Sequence, residues 1–393
     1  MAQNIEEFRN SISVGELGII PMESCKAMGE MVNQYIVKWR QKRNHILHPV
    51  GEDLKDSYII KAKCSRFGSG EAKGAIQESI RGKDLYILTD VTNFSITYSL
   101  SGQQNHMSPD DHYADLKRII TAAAGKGRRI NVIMPFLYES RQHKRMGRES
   151  LDCANALQEL RSLNVENIIT FDAHDPRVQN AIPNSGFDNV MPHYQFIKAL
   201  FNSVPDLEVD ADHMMIISPD EGAMWRAVYY SNVLGIDMGM FYKRRDYSKV
   251  VNGKNPIVAH EFLGSSVEGK DVLIVDDMIS SGDSMLDVAA QLKARKARRV
   301  FCCATFGLFT QGMKKFDEYH EKGLISKVLT TNAIYQKPEM LARPYYVNVD
   351  ISKYIALLID KINYDHSISD LLDPSVRIRK ALDYYKEHHT CWN

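Results

Sequence analysis

The residues most suited to chemistry lie in the second half of the chain, where two adjacent carboxylates precede a short Ser/Gly segment and a predicted helix. They follow an apolar run, 272–275, that is typical of a buried parallel strand. Open α/β folds bind ligands where such strands end, and the free N–H groups and dipole of a helix N-terminus favour phosphate. We therefore expect a sugar-phosphate site in which the acids hold hydroxyls and the following segment holds the phosphate. Its predicted members are Asp276, Asp277, Ser280, Ser281, Gly282, Asp283 and Ser284.

A helix start without a ligand is the alternative for this segment, because Ser280 and Asp283 have the spacing of a capping box. A cap, however, does not require Asp276 and Asp277 directly after a strand. A Walker loop is excluded, since the chain has no G-x-x-x-x-G-K-[ST] pattern.

A glycine-rich turn in the first half, 67–71, carries groups suited to a nucleobase. The ring of Phe67 can stack on a base, and the carboxylate of Glu71 can accept a hydrogen bond from an exocyclic amine. The glycine spacing differs from the dinucleotide-binding G-x-G-x-x-G, which disfavours a Rossmann site. The alternative for Phe67 is a buried core residue.

Two basic segments follow predicted strands. Residues 141–148 contain four cations and a histidine, and we expect them to contact nucleotide phosphates. Residues 243–245 read Lys-Arg-Arg and precede a polar stretch, 246–255, that is predicted to be a mobile loop. A solvated basic surface is the alternative for both segments.

His174 and Asp220 each close a further predicted strand. An imidazole and a carboxylate at strand ends are compatible with a Mg²⁺ ion that keeps several waters and mainly binds phosphates. For His174, a structural residue with satisfied hydrogen bonds is the alternative.

These residues are positioned by short apolar runs that alternate with longer amphipathic stretches, a pattern that predicts mainly parallel sheets flanked by helices. The predicted strands are 58–62, 85–88, 130–134, 168–171, 214–217, 238–241, 272–275, 300–304 and 327–330. The predicted helices are 23–41, 150–163, 222–234, 284–296 and 375–387. A length of 393 residues predicts two domains, which we place at 1–190 and 191–393.

An internal similarity supports this division. Residues 82–90, GKDLYILTD, resemble residues 269–277, GKDVLIVDD, and each copy is followed by an Arg-Arg pair before another predicted strand. We interpret them as two copies of one α/β unit, the first with an extra loop around 101–113. Chance similarity between two strands is the alternative.

Composition excludes several classes of protein. The 49 Lys and Arg residues balance the 49 Asp and Glu residues, which argues against a general nucleic-acid binder or a binder of anionic membranes. The chain is 44% hydrophobic and 25% charged, unlike a disordered chain. There is no apolar run long enough to span a bilayer, the first residues are unlike a signal peptide, and the six cysteines form no C-x-x-C motif. We predict a cytoplasmic protein with reduced thiols and no nucleic-acid or membrane partner.

Residues 275–284 resemble the phosphoribosyl-binding loop shared by phosphoribosyltransferases and ribose-phosphate pyrophosphokinases (PRPP synthetases). Further segments are similar to the pyrophosphokinase family and occur in its order along the chain. They are 65–71, 78–84, 135–142, 172–174, 218–220 and 243–245. The resemblance extends over roughly 58–350, whereas simple phosphoribosyltransferases lack the first half.

The resemblance implies two tandem phosphoribosyltransferase-like domains, with ATP on the N-terminal side and ribose 5-phosphate at the 276–284 loop. It implies diphosphoryl transfer from ATP to the 1-hydroxyl of ribose 5-phosphate, giving PRPP and AMP, with Mg²⁺ as cofactor. It also implies a homo-oligomer with active sites shared between subunits. The ATP-binding residues it implies are Phe67, Ser69, Glu71, Arg141, Gln142 and Lys144. His174 and Asp220 would bind the metal, and Lys243 and Arg245 would be catalytic.

Three positions depart from the family pattern. Ser69 and Ser280 each stand where the family usually has Asp, and Asp283 stands where it has Gly. A carboxylate beside a bound phosphate is repulsive, unless it points away and caps the helix. The residues before about 58 are also longer than in the family. These departures leave two alternatives open, a non-catalytic regulatory relative of PRPP synthetase or a phosphoribosyltransferase with an added domain.

Overall fold

A computed structural model describes residue 8 and residues 11–47, 55–245 and 257–391 of the chain. The side chains of residues 46, 47, 243–245 and 257–260 lie outside this description. The chain forms two compact units. The first comprises Met1–Met191, Asn332–Tyr335 and Asp350–Leu372, and the second comprises Pro192–Thr331, Gln336–Val349 and Asp373–Asn393. Residues 332–335 and 350–372, which the predicted boundary assigns to the second domain, thus belong to the first unit.

The described part of the chain contains these strands and helices. The strands are β1 Glu16–Pro21, β2 Ala62–Arg66, β3 Ala72–Ile76, β4 Lys83–Leu88, β5 Thr97–Leu100, β6 Gln103–His106, β7 Arg129–Ile133, β8 Asn167–Phe171, β9 Gly186–Val190, β10 Met214–Ser218, β11 Met238–Arg245, β12 Ile257–Leu263, β13 Asp271–Ile279, β14 Arg299–Gly307, β15 Lys327–Thr331 and β16 Tyr346–Val349. The α-helices are α1 Lys26–Leu47, α2 Pro109–Ala123, α3 Asp152–Ser162, α4 His193–Ser203, α5 Met224–Leu234, α6 Asp283–Ala294, α7 Lys314–Glu321, α8 Pro338–Leu341, α9 Ser352–Asn363, α10 Ser369–Leu372 and α11 Ser375–His388. None of the described helices is long and apolar enough to cross a bilayer.

The first unit is built on a parallel five-stranded sheet in the order β1-β4-β7-β8-β9. Alternate side chains of β4, such as Leu85 and Ile87, pack in one core with apolar residues of α2 and α3. Helix α9 is tied to α1 by the buried carboxylate of Asp360, which accepts hydrogen bonds from Arg40 and Arg43. This ion pair holds residues from the C-terminal part of the chain in the first unit.

Two antiparallel hairpins, β2–β3 and β5–β6, stand apart from this sheet as separate two-stranded sheets. The first of them carries the predicted nucleobase turn between its strands. The second occupies part of the segment that sequence comparison of the two halves marked as an extra loop.

The second unit has a seven-stranded sheet in the order β12-β11-β10-β13-β14-β15-β16, parallel except for the β11–β12 pair. Strand β13 lies at its centre and is buried on both faces. Val272 and Ile274 pack with α6, whereas Leu273 and Val275 pack with α4, α5 and α11. A central strand covered on both faces explains why 272–275 is a continuous apolar run.

An equivalent buried ion pair occurs in each unit, at the start of β4 in the first unit and of β13 in the second. Arg129 holds Asp84 through bonds of 2.8 and 2.9 Å, and Arg299 holds Asp271 through bonds of 3.0 and 2.7 Å. Gly82 and Gly269 precede these acids with matching φ angles of 75° and 76°. The same local structure in both units supports two copies of one α/β unit over chance similarity.

Two strand predictions need correction. The run 58–62 forms only an isolated bridge at Ile59; regular pairing starts with β2 at Ala62, in a hairpin. Strand β13 continues to Ile279, so Asp276 and Asp277 lie within the strand and not after it. The extension pairs with β14, which itself continues to Gly307. Its polar residues do not indicate a strand by themselves, but the backbone hydrogen bonds to β14 hold them in one.

Candidate active site

The end of β13 presents Asp276 and Asp277 from successive positions, so that their side chains leave opposite faces of the strand. Asp277 is buried, Asp276 is half-buried, and the backbone N–H of Asp277 donates to Asp276 Oδ1 at 2.8 Å. Burial, and then the neighbouring Asp277 carboxylate, raise the pKa of Asp276 well above its ordinary value. The site therefore gathers negative charge that a hydroxyl donor or a cation can relieve.

The segment between β13 and α6 is fixed by backbone hydrogen bonds to the residues after β14. The N–H of Leu308 donates to the carbonyl of Ile279 at 2.9 Å, and the N–H of Thr310 donates to the carbonyl of Ser280 at 3.0 Å. The loop thereby runs directly into the first turn of α6, whose leading N–H groups have no partner within the helix. This is the geometry expected of a phosphate-binding loop.

Gly282 is required at the turn for two reasons. Its φ of 90° lies in the left-handed region, which side-chain-bearing residues rarely adopt. A Cβ at this position would also lie 2.4 Å from Cε2 of the buried Phe316 ring. Gly282 is the N-cap of α6 and no side chain caps the helix, so the capping box considered for Ser280 and Asp283 is not formed.

Asp283, which departs from the family pattern, forms an ion pair with Lys315 of α7. Lys315 Nζ lies 2.5 Å from Asp283 Oδ1, and both side chains are exposed. The hydrogen bond from Lys315, followed by that with Ser281, lowers the pKa of Asp283, which therefore carries its negative charge at neutral pH. A cation thus accompanies the unexpected carboxylate at the helix start.

Asp220, a predicted metal ligand, lies beyond the end of β10 in the same unit. Its Oδ1 accepts hydrogen bonds from the N–H groups of Gly222 and Ala223 at 2.9 and 3.3 Å, just before α5. Its charge also raises the pKa of Asp276, after the larger effects of burial and Asp277. Asp220 therefore belongs to the same acidic group as the β13 carboxylates.

Lys243 and Arg245 lie in β11, which continues past the predicted strand and pairs with β12 opposite His260 and Ile257. The strand therefore extends beyond its predicted end at residue 241, up to the residue before the predicted loop. Residues 246–256, which contain the whole of the predicted mobile loop, and the side chains of Lys243 and Arg245 lie outside the described residues.

In the first unit, Phe67, Ser69 and Glu71 occupy the turn between β2 and β3. The side chain of Phe67 is 57% exposed, so the buried-core alternative is wrong. Ser69 Oγ donates to Glu71 Oε2 at 2.8 Å. The turn therefore offers an aromatic face next to a carboxylate that already has one hydrogen-bond donor.

The basic segment 141–148 follows β7 in the first unit. Arg141 and Lys144 are exposed. Exposure agrees both with phosphate binding and with the alternative of a solvated basic surface. The Nε2 of Gln142 instead donates to the carbonyl oxygens of Lys144 and Ser150 at 3.2 and 2.9 Å. Gln142 thus shapes the loop that presents the two cations.

His174 follows β8 and is exposed, with its ring centroid 5.4 Å from that of His143. The structure places His174 in the first unit with the 141–148 segment, and Asp220 in the second unit with the β13 acids. The predicted residues are therefore divided into two groups according to the unit that contains them.

Two residues of the second group were not predicted. Arg226 is buried on α5, and its positive charge opposes the rise in the pKa of Asp276. An arginine on the otherwise apolar buried face of α5 was a signal for a buried charge partner. Lys315 had no such signal, because it lies 32 positions from Asp283.

Family models match the chain over both units. The model for the N-terminal domain of ribose phosphate pyrophosphokinase matches residues 17–163, and that for the phosphoribosyl transferase domain matches residues 195–343. The chain belongs to the ribose-phosphate pyrophosphokinase family. This membership distinguishes it from simple phosphoribosyltransferases, which the second match alone would not do.

Relatives in this family align over most of the chain. A ribose-phosphate pyrophosphokinase of Vibrio parahaemolyticus is 27% identical over 317 residues, covering 79% of this chain and 91% of the relative. Another, from Corynebacterium efficiens, is 26% identical and covers 85% of this chain and 98% of the relative. The crystal structure of phosphoribosylpyrophosphate synthetase from Mycobacterium smegmatis superposes with a TM-score of 0.71 at 18% identity, covering 89% of this chain and 99% of the other. These matches confirm the predicted family and fold class.

Proposed function

We propose that this protein is a ribose-phosphate diphosphokinase that transfers the diphosphoryl group of ATP to the 1-hydroxyl of ribose 5-phosphate, giving PRPP and AMP. The observation that carries the proposal is the β13–α6 loop in a chain of the ribose-phosphate pyrophosphokinase family. There, Asp276 and Asp277 lead through the glycine turn at Gly282 into a helix N-terminus.

Ribose 5-phosphate would bind at this loop. The carboxylates of Asp276 and Asp277 would accept hydrogen bonds from ribose hydroxyls. The N–H groups of residues 280–284 would donate to the phosphate, which the dipole of α6 favours. Ser280, Ser281 and Ser284 would add hydroxyl groups along the same segment.

ATP would bind through the first unit. Phe67 would stack on the adenine ring, and the Ser69–Glu71 pair would hydrogen-bond to its edge. Arg141 and Lys144 would contact the phosphates, with Gln142 holding the loop that carries them.

We propose Mg²⁺ as the cofactor, and we assign Asp220 as a ligand in the second unit; in the first unit, we assign metal binding to His174. The donor chemistry fits: Asp220 offers a carboxylate oxygen, which Mg²⁺ prefers, and the acids around it leave negative charge for a cation to balance. When bound, the ion would neutralise phosphate charge and help to hold ATP.

The proposed reaction needs positioned reactants and charge stabilisation more than a covalent nucleophile. We assign stabilisation of the developing phosphate charge to Lys243 and Arg245. The ribose 1-hydroxyl would attack the β-phosphorus of ATP, the bond from that phosphorus to the α-phosphate oxygen would break, and AMP would leave.

The test is incubation with ATP, Mg²⁺ and ribose 5-phosphate, with AMP and PRPP measured separately. We expect stoichiometric AMP and PRPP from the unaltered protein, and loss of nearly all turnover in Lys243→Ala. Lys322→Ala, which alters an exposed lysine at the end of α7, is the matched control. PRPP consumption with a nucleobase would instead identify a phosphoribosyltransferase. ATP binding without turnover would identify a regulatory relative.

We also propose that the protein self-associates in the cytoplasm, where ATP and sugar phosphates are available. Self-association is supported by exposed apolar side chains at Met224, Trp225 and Val228, which share one side of α5 because residues three or four positions apart lie on the same helix face. Light scattering at several protein concentrations tests it.

A further inference from the structure

The β5–β6 hairpin packs against the turn that carries Phe67. The guanidinium of Arg66 lies 4.8 Å from the centre of the Tyr98 ring. The Leu100 side chain lies over Gly70, where an added Cβ would approach its Cδ1 to 2.9 Å. The backbone N–H of Ser101 donates to the carbonyl of Gly68 at 3.5 Å. The hairpin therefore contacts the turn and the strand residue before it at three positions, Tyr98, Leu100 and Ser101.

Residues of the two hairpins line a depression of about 440 Å³ that is open to solvent and lies beside the exposed Phe67 ring. This volume is in the range of small-molecule pockets. The depression is lined by Arg66, Phe67, Gly68, Ser99, Ser101 and Gly102. A planar base stacked on Phe67 within it would face a second wall made of the 99–102 segment, whose backbone groups and serine residues can both donate and accept hydrogen bonds.

Comparison of the units shows that this hairpin is an addition to the repeated fold. In the second unit, β13 leads through a short loop directly into α6. In the first unit, the corresponding strand β4 is followed by the β5–β6 hairpin before α2 begins. Among the described residues, the phosphate loop of the second unit thus has no counterpart after β4 of the first unit. The β5–β6 hairpin takes its place in the chain and extends to the nucleobase turn.

We propose that the β5–β6 hairpin forms the second wall of the nucleobase site, so that it positions Phe67 and contacts the base. The proposal rests on the function proposed above and extends it to residues outside the β2–β3 turn. Tyr98 and Leu100 act as positioning residues, and the Ser99–Gly102 segment contacts the base.

The test fills the depression. Ser99→Trp places a large side chain at its wall, at a strand position that accepts tryptophan well. Gln104→Trp is the matched control, because Gln104 pairs with Ser99 across the hairpin and is exposed but does not line the depression. Leu100→Ala is a second variant that removes the packing over Gly70 without filling the site.

Two readouts separate the outcomes, and circular dichroism confirms the fold of each variant. Titration with N-methylanthraniloyl-ATP measures nucleotide binding directly, and steady-state assays give KM for ATP, KM for ribose 5-phosphate and kcat. We expect Ser99→Trp to weaken ATP-analogue binding and raise KM for ATP by about tenfold, with KM for ribose 5-phosphate unchanged. Leu100→Ala should act in the same direction, and Gln104→Trp should match the unaltered protein.

Unchanged nucleotide binding in both Ser99→Trp and Leu100→Ala, while the unaltered protein binds the analogue, would overturn this inference alone. Equal weakening by Ser99→Trp and Gln104→Trp would do the same, because it would make the effect one of hairpin disruption. Absence of analogue binding by the unaltered protein would overturn the proposed function together with it.

Discussion

Lys315 Nζ lies 2.5 Å from Asp283 Oδ1 at the first residue of α6, where the family pattern has glycine. The lysine offsets a carboxylate that would otherwise repel a phosphate bound at the helix N-terminus. We expect Lys315→Ala to raise KM for ribose 5-phosphate by about fivefold with little change in kcat, because it exposes that repulsion. Steady-state kinetics at low ionic strength, where screening is weakest, is the measurement.

Two further variants isolate this effect. Lys314→Ala removes the neighbouring exposed lysine and should leave KM unchanged. Asp283→Gly introduced into the Lys315→Ala protein removes the unpaired carboxylate and should restore KM. Equal effects of Lys314→Ala and Lys315→Ala would show that general surface charge is responsible and not this ion pair.

Gly282 and Phe316 meet so closely that the loop cannot accept a side chain. We expect Gly282→Ala to destabilise the protein by about 3 kcal/mol, because it combines strain at positive φ with overlap against a buried ring. It should also raise KM for ribose 5-phosphate. Urea unfolding and kinetics check the two effects.

Gly235 offers the matched control, since its φ is 68° and nothing lies within 4 Å of an added Cβ. Gly235→Ala should therefore show only the conformational cost, about 1 kcal/mol. The explanation by overlap with Phe316 would be wrong if both alanine variants lost the same stability.

How far the sequence predicts this protein depends on the range of the interaction concerned. The apolar run 272–275 and the amphipathic helix after it are local patterns, and both were found within a few residues of their predicted places. The extension of β13 to Ile279 depends on pairing with β14, and the ion pair of Asp283 depends on α7. Neither partner is visible in the local sequence.

The first unit gives a similar lesson. The segment around 101–113 was predicted as extra loop, but part of it forms β6 and the start of α2. Strand β6 is short and entirely polar, so it lacks the apolar alternation from which strands are predicted. Likewise, the position of α9 in the first unit depends on Arg40 and Asp360, which are 320 residues apart.

Asp276 should make the stability of the protein depend on pH. Burial and the neighbouring Asp277 raise its pKa in the folded protein, whereas the unfolded chain has the ordinary value near 4. The folded state thus binds the proton more tightly, and stability falls as pH rises from about 4 through the higher folded pKa. We expect Asp276→Asn to raise the free energy of unfolding by about 1 kcal/mol at pH 8 and to have little effect near pH 4.

Urea unfolding at pH 4, 6 and 8 measures this difference, with the exposed Asp383→Asn as control. The same Asp276→Asn variant should lose activity, because it removes a carboxylate assigned to a ribose hydroxyl. The sign of the pKa shift would be contradicted if Asp276→Asn increased the free energy of unfolding less at pH 8 than at pH 4.

Ser69 should make the choice of base less strict than an acidic residue would. Its hydroxyl donates to Glu71 at 2.8 Å and occupies one of the carboxylate oxygens proposed to bind the base. We expect Ser69→Asp to add an acceptor for the exocyclic amine of adenine and to raise the ratio of kcat/KM for ATP over GTP by about tenfold. Rates with both nucleotides at subsaturating concentration give this ratio, and Ser69→Ala, which frees Glu71 without adding an acceptor, should change it less. A ratio that is the same in the Asp and Ala variants would mean that release of Glu71, and not the added carboxylate, governs base choice.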